Sequence, residues 1–211
     1  NQDAGMLVRG VVRSLFTSNI LSGNAVNGLS LTGWSNRIEY NQLSSNGGIG
    51  LSMPTSVPGN RSNELYANVF VTNGGNALEI YAGASELRIA GNVISGHGNA
   101  AALSAASLSN SLVEGNLFLS NQNGMSLNGM RQVTLRDNTV LSSLQQGVNL
   151  AAGSTSNRIY SNNIGRCGQY GLQVSGSSNS VEMNESFSNG ISGINLNGST
   201  NLVSRYHVWG N

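Results

Sequence analysis

The sequence predicts an all-β solenoid, a parallel β-helix of about nine coils of ~23 residues, built as a single domain. Three observations carry that reading. The first is composition: Gly, Asn and Ser supply 91 of the 211 residues, while Asp, Glu, Lys and Arg together make up 9%. Turn formers are too abundant for a helical bundle, and charge is too sparse for a disordered tail. Apolar residues at 38% still supply a core. The second observation is a recurring phrase: a small residue, then apolar, any, apolar. It stands at Gly28-Leu29-Ser30-Leu31, Gly50-Leu51-Ser52-Met53, Gly124-Met125-Ser126-Leu127, Gly147-Val148-Asn149-Leu150, Gly171-Leu172-Gln173-Val174 and Gly193-Ile194-Asn195-Leu196, with looser copies at Gly5, Ala77 and Ala102. The third is an independent series, Asn19, Asn41, Asn68, Asn92, Asn116, Asn138, Asn162 and Asn184, each three residues after an apolar one. The phrase spans 188 residues in eight intervals and the Asn series 165 in seven, so both have a period of about 23.5.

Each period divides into three short strands. In one copy, Leu135 precedes the turn at Asn138, Val140 follows it, and Val148 and Leu150 form the third piece. Apolar and polar residues alternate within each piece, as strands with one buried face require. Nowhere do good helix formers recur at helical spacing, which argues against a leucine-rich repeat. Asn suits the sharp turn because it tolerates left-handed backbone, and its amide can bond to the Asn one coil above.

These residues, Asn138-x-Val140 leading to Gly147-Val148-x-Leu150 in particular, resemble the right-handed parallel β-helix superfamily. Pectate lyases, mannuronan epimerases, periplasmic carbohydrate-binding repeat proteins and many phage tailspikes share it. The resemblance runs along essentially the whole chain and specifies a fold rather than an activity. It implies an Asn ladder at the second turn. It assigns Leu78–Ile80 to the first sheet, the strand at Ile89 to the second and that at Ile94 to the third. It also implies a substrate groove on the first sheet and third turn.

The three outer faces read differently. The second sheet carries Arg37, Glu39, Glu64, Tyr66, Arg88, Glu114, Arg136, Arg158, Tyr160 and Glu182, a ladder of weak surface ion pairs. On the third, Val69, Val71, Val93, Leu117, Leu119 and Leu141 point outward between inward Phe70, Ile94, Phe118 and Val140. A sheet apolar on both sides expects cover, either more of the same polypeptide or a homotrimer closing along this strip. The first sheet is lined by Ser30, Ser52, Glu79, Ser126, Asn149, Gln173 and Asn195. Such a row either matches a polysaccharide by many modest hydrogen bonds or keeps a flat sheet soluble.

Ionisable and aromatic groups near that row are Glu79, Tyr81, His97, Arg166 and Tyr170. Glu79, His97 and Tyr81 are the candidate catalytic set, a carboxylate, an imidazole and a phenol suited to proton abstraction. Ser52, Ser126, Asn149, Gln173, Asn195, Trp34, Arg166 and Tyr170 are the candidate substrate contacts, Trp34 as a stacking platform. Arg166 and Tyr170 lie three coils beyond His97, roughly 14 Å away. A second facing carboxylate for glycoside hydrolysis is missing, and so are the acidic clusters of calcium-dependent lyases. The Asp-Pro-His signature of mannuronan epimerases is absent too, since Pro54 and Pro58 are the only prolines. Neither metal nor cofactor is expected. A net charge of +1 with no Lys argues against nucleic acid or membrane partners, and the single Cys167 leaves redox compartment open.

Pro54–Arg61 lengthens one coil into a projecting turn. Neither end shows a cap, so a longer parent protein is expected. Recognition of an extracellular polysaccharide, extending to depolymerisation or epimerisation, is the favoured function, at an extracellular, periplasmic or virion-surface location. If an enzyme, the chain is a lyase, epimerase or hydrolase. A non-catalytic structural or adhesive solenoid is the competing class.

Overall fold

A computed structural model describes residues 4–56 and 59–211. Val57 and Pro58 of the long turn, and residues 1–3, lie outside the described residues. The described residues form 27 strands in three parallel nine-stranded sheets, one strand per sheet per coil, and no helix. The first sheet runs from Met6–Val12 to Ser192–Leu196, the second from Leu15–Thr17 to Leu202–Ser204, and the third from Ile20–Ser22 to His207–Trp209. Chain order and spatial order coincide along the axis. The expected nine-coil β-helix is therefore present.

In the second and third sheets the strands are short because a left-handed residue follows each one. At the second corner Ala67 (φ 51°), Asp137 (φ 54°) and Ser161 (φ 54°) take that conformation, each just before a ladder Asn. This corrects the expectation that Asn itself adopts it. The bending residue turns its side chain to solvent, so almost any type is accepted at a cost of about 1–2 kcal/mol. The Asn that follows points inward along the axis. There Asn116 Oδ1 accepts from both the backbone N–H and the Nδ2 of Asn92, at 2.9 Å each. Asn138 Oδ1 does the same for Asn116, at 3.0 and 2.9 Å. Buried amides are thereby satisfied without water.

Ladders also stand at the other two corners, where the sequence suggested none. Between the first and second sheets, Asn36 bonds to Asn63 and Asn157 to Asn179, with Leu87 and Val133 interrupting. Between the third and first, Asn24, Asn46 and Asn73 lead to His97 and Asn121.

The core is a set of columns. Phe70, Ile94, Phe118 and Val140 are fully buried in register in the third sheet. Ile38, Leu65, Ile89, Val113 and Leu135 fill the second. Leu51, Leu78, Leu103 and Met125 lead the first. The small residue opening the first-sheet phrase is required by closeness between coils: a Cβ on Gly124 would meet the Gly147 carbonyl and Val140.

Outside, the second sheet carries the expected ion pairs. Arg37 meets Glu64 at 3.1 Å, Arg88 bridges Glu64 and Glu114, and Glu114 also holds Arg136. These contacts raise the Arg88 and Arg136 guanidiniums and, against partial burial, lower the Glu114 carboxyl.

Candidate functional site

The outer face of the first sheet is one continuous file. Register places Ser30, Ser52, Glu79, Ser104, Ser126, Asn149, Gln173 and Asn195 side by side, coil after coil. At ~4.8 Å per coil this row is ~34 Å long, enough for several sugar rings. Most of the file is half-buried, but Ser52 is only 5% exposed and offers little to a ligand.

An open groove of about 390 Å³ lies across the middle of the file, lined by Glu79, Ser104 and Ser126 together with Asn76, Asn99, Gln122 and Asn123. Its cause is a local irregularity in the third corner. From the last third-sheet residue to the first inward residue of the next first-sheet strand, the step is seven residues in the coils on either side, Val71 to Leu78 and Leu141 to Val148. It lengthens to eight from Ser95 to Leu103 and shortens to six from Leu119 to Met125. One coil bulges, its neighbour retracts, and the gap between them is the groove.

Glu79 of the candidate catalytic set and Ser126 of the candidate contacts share this groove. Tyr81 lies two residues along from Glu79 and is 40% exposed. Partial desolvation first, and then the negative charge of the neighbouring Glu79 carboxylate, raise its phenol above the ordinary range. Asn149, Gln173 and Asn195 continue the file toward the C-terminus, and Gln146 Nε2 donates to Gln173 Oε1 at 2.8 Å. Arg166 is an exposed left-handed corner residue (φ 57°) before the strand that carries Gln173, four coils from Glu79. Tyr170 opens that same strand, half-buried. Trp34 sits at the other edge of the first sheet, beside Arg61, whose guanidinium lies 5.9 Å from the indole ring.

His97 is placed differently from its neighbours in the proposed set. It is 1% exposed and serves as a rung of the third-corner ladder. The Asn73 backbone N–H donates to Nε2 at 3.3 Å, and Nδ1 faces Asn121 Oδ1 at 3.1 Å. A backbone N–H can only donate and a carbonyl oxygen only accept, so the proton sits on Nδ1 and the ring is neutral. Burial accordingly pushes the imidazole below its usual 6.5, against the opposing pull of Asn121 and the Ser95 backbone. Both ring nitrogens are used inside the protein.

Sequence reasoning missed Ser104, Asn76, Asn99, Gln122 and Asn123. The signal that finds them is the changed spacing between the ladder Asn and the small residue that opens the first-sheet phrase, Asn92 to Ala102 and Asn116 to Gly124. Among the described residues, no group of three His, Cys, Asp or Glu side chains could hold a metal ion. No helix there is long and apolar enough to cross a membrane. The third-sheet strip is present, with Val69 38% and Val93 37% exposed. One chain fixes its position and does not supply the trimer axis expected beside it.

Three corners with inward rungs, three parallel sheets and a polar outer groove define a parallel β-helix of the right-handed class. The chain belongs to the family described as right handed beta helix region, whose model matches residues 1–118, 57–186 and 123–211. No curated protein matches it. Solved structures that resemble it include a mutant of the periplasmic alginate epimerase AlgG, with 12% identity and a TM-score of 0.63 over 85% of this chain and 50% of that one. Another is the catalytic unit of a thermostable GH87 alpha-1,3-glucanase from Streptomyces thermodiastaticus strain HF3-3, with 14% identity and a TM-score of 0.54 over 93% and 50%. A third is the Dettilon tailspike protein, with 12% identity and a TM-score of 0.54 over 83% and 43%. The chain thus spans about half the length of these proteins, and the likeness is one of fold.

Proposed function

We propose that the chain recognises a polysaccharide along the outer file of its first sheet, outside the cell, in the periplasm or on a virion. The observation that carries this is the continuous polar row, hydroxyl and amide side chains with the one carboxylate of Glu79, opened into a groove at Glu79, Ser104 and Ser126. Many modest hydrogen bonds repeated at coil spacing suit a polymer of repeating sugars. Epimerase, glucanase and tailspike neighbours with the same fold support that class of ligand. Within this reading Glu79 and Tyr81 are the acid–base groups nearest the ligand, and cleavage or epimerisation by the chain would begin from them. The buried rung at His97 favours a second reading, a binding or structural solenoid with no chemistry of its own.

Affinity electrophoresis against a panel of polysaccharides tests the groove. Ser126→Arg fills it and should weaken binding about tenfold or more, whereas Glu114→Gln on the second sheet should change it less than about twofold. Equal effects would refute the location. Association of three copies through Val69, Val71, Val93, Leu117, Leu119 and Leu141 belongs to the same proposal and rests on that strip alone. Leu117→Arg with Leu119→Arg should lower the mass seen by light scattering from trimer to monomer. A monomeric wild type would end it.

A further inference from the structure

Charge around the groove is distributed unevenly. Glu79 is the only ionisable residue among those lining it. The chain has no Lys, and its Arg residues lie elsewhere: on the second sheet, at corners, or near the ends. The cation of the third corner, Arg166, is four coils from Glu79 and two coils from the wall at Gln122, or ~10 Å from that wall at ~4.8 Å per coil. An anion in the groove would therefore touch Glu79 and meet no cation among the lining residues.

The uncharged groups there are unusually free. Asn99, Ser104, Gln122 and Ser126 line the groove, and their side chains make no hydrogen bond within the protein. Asn76 Oδ1 accepts from the Ala101 backbone and Asn123 Oδ1 from the Gln146 backbone, which leaves both amide NH₂ groups for a ligand. Donors and acceptors in nearly equal number suit sugar hydroxyls, which are both at once. The wall at Gly74 and Gly75 is bare backbone stacked on Gly47 and Gly48, where a Cβ on Gly74 would strike the Gly47 carbonyl. It stays low enough for a ring to lie across it.

From the lone Glu79, the unpartnered Asn99 and Gln122 amides and a lining that holds no cation, we infer that the irregular step is a specificity subsite for an uncharged polysaccharide, one of neutral aldohexoses or fructoses rather than uronic acids. This rests on the recognition role proposed above and narrows it. Binding of the whole chain to a neutral α-glucan, a neutral β-glucan, a fructan, alginate and polygalacturonate decides it, each at about 50 and about 500 mM NaCl. At least one neutral polymer should bind, with affinity changing less than about twofold across that salt range. Asn99→Ala with Gln122→Ala should weaken it about tenfold while the circular dichroism spectrum stays unchanged. Glu79→Arg should give the protein an affinity for the uronate polymers that salt then removes. Tighter binding of alginate or polygalacturonate by the wild type overturns the inference and leaves the recognition role standing. Neutral binding indifferent to Asn99 and Gln122 overturns the subsite. Binding to none of the five overturns both.

Discussion

His97 should make the stability of this solenoid depend on pH in a window where nothing else in its ladder titrates. Its ring is neutral, with Nε2 accepting from Asn73 and Nδ1 donating to Asn121, and these ladder neighbours are uncharged amides. Protonation would set an N–H against the Asn73 N–H in a buried site. The folded imidazole is held below 6.5 by burial. The unfolded chain therefore takes up the proton first as pH falls, and stability drops. The loss begins near pH 6.5, steepens to about 1.4 kcal/mol per pH unit, and levels off once the folded form also protonates. Between pH 7 and pH 5 it can reach at most about 2 kcal/mol. His97→Asn restores the ladder residue found at Asn73 and Asn121 and removes the proton. Urea denaturation followed by circular dichroism at several pH values, for both forms, measures the difference directly. The wild type should lose ground to the variant below pH 6.5. Parallel stability curves would show that His97 is not the buried neutral rung described here.

Other perturbations have sizes set by contact. Phe118→Ala, in a fully buried column between Ile94 and Val140, should cost about 3–5 kcal/mol in the same denaturation assay. Asn116→Ala strands the backbone N–H and the Nδ2 of Asn92 and should cost about 2–4 kcal/mol, much more than the loss of an exposed Asn such as Asn128. Gly124→Ala should cost about 1–3 kcal/mol, because the Gly147 carbonyl cannot move out of the way. Glu114→Ala breaks contacts to both Arg88 and Arg136 at the surface and should cost only about 1 kcal/mol, an effect that fades in high salt.

What was legible in the sequence follows from how regularly a residue's neighbours recur. Phe118, Ile94 and Phe70 could be aimed inward because alternation fixes the facing of every strand residue, and the second-corner ladder could be found because eight Asn share one spacing. The first- and third-corner ladders were hidden by substitution: Leu87 and Val133 replace Asn at one, His97 and Cys167 at the other. His97 looked like a surface group for that reason, since a polar residue in a glycine-rich turn gives no local sign of facing inward. The groove was half legible. Its floor at Glu79 and Ser126 follows from the repeat, but its walls at Asn99 and Gln122 come from one extra and one missing residue, which averaging over the period erases.

The third-corner ladder also bears on how the coils find the right partners. A stack of identical rungs has translational symmetry: shifting the chain by one coil would exchange one Asn–Asn bond for another of equal worth. The second-corner ladder, with Asn at every position from Asn19 to Asn184, is degenerate in this sense. His97 accepts on one side and donates on the other as an Asn does, but through a larger ring, and Cys167 donates only its backbone N–H to the next rung, Asn189. These odd rungs, together with the eight- and six-residue steps beside them, act as notches on an otherwise blank ruler. A misaligned chain would press an imidazole into a corner shaped for an amide and set the long and short steps against regular ones, an overpacking of about 1–3 kcal/mol that the correct alignment avoids. Replacing every notch with Asn would then give a solenoid as stable as the original but slower and less faithful to refold.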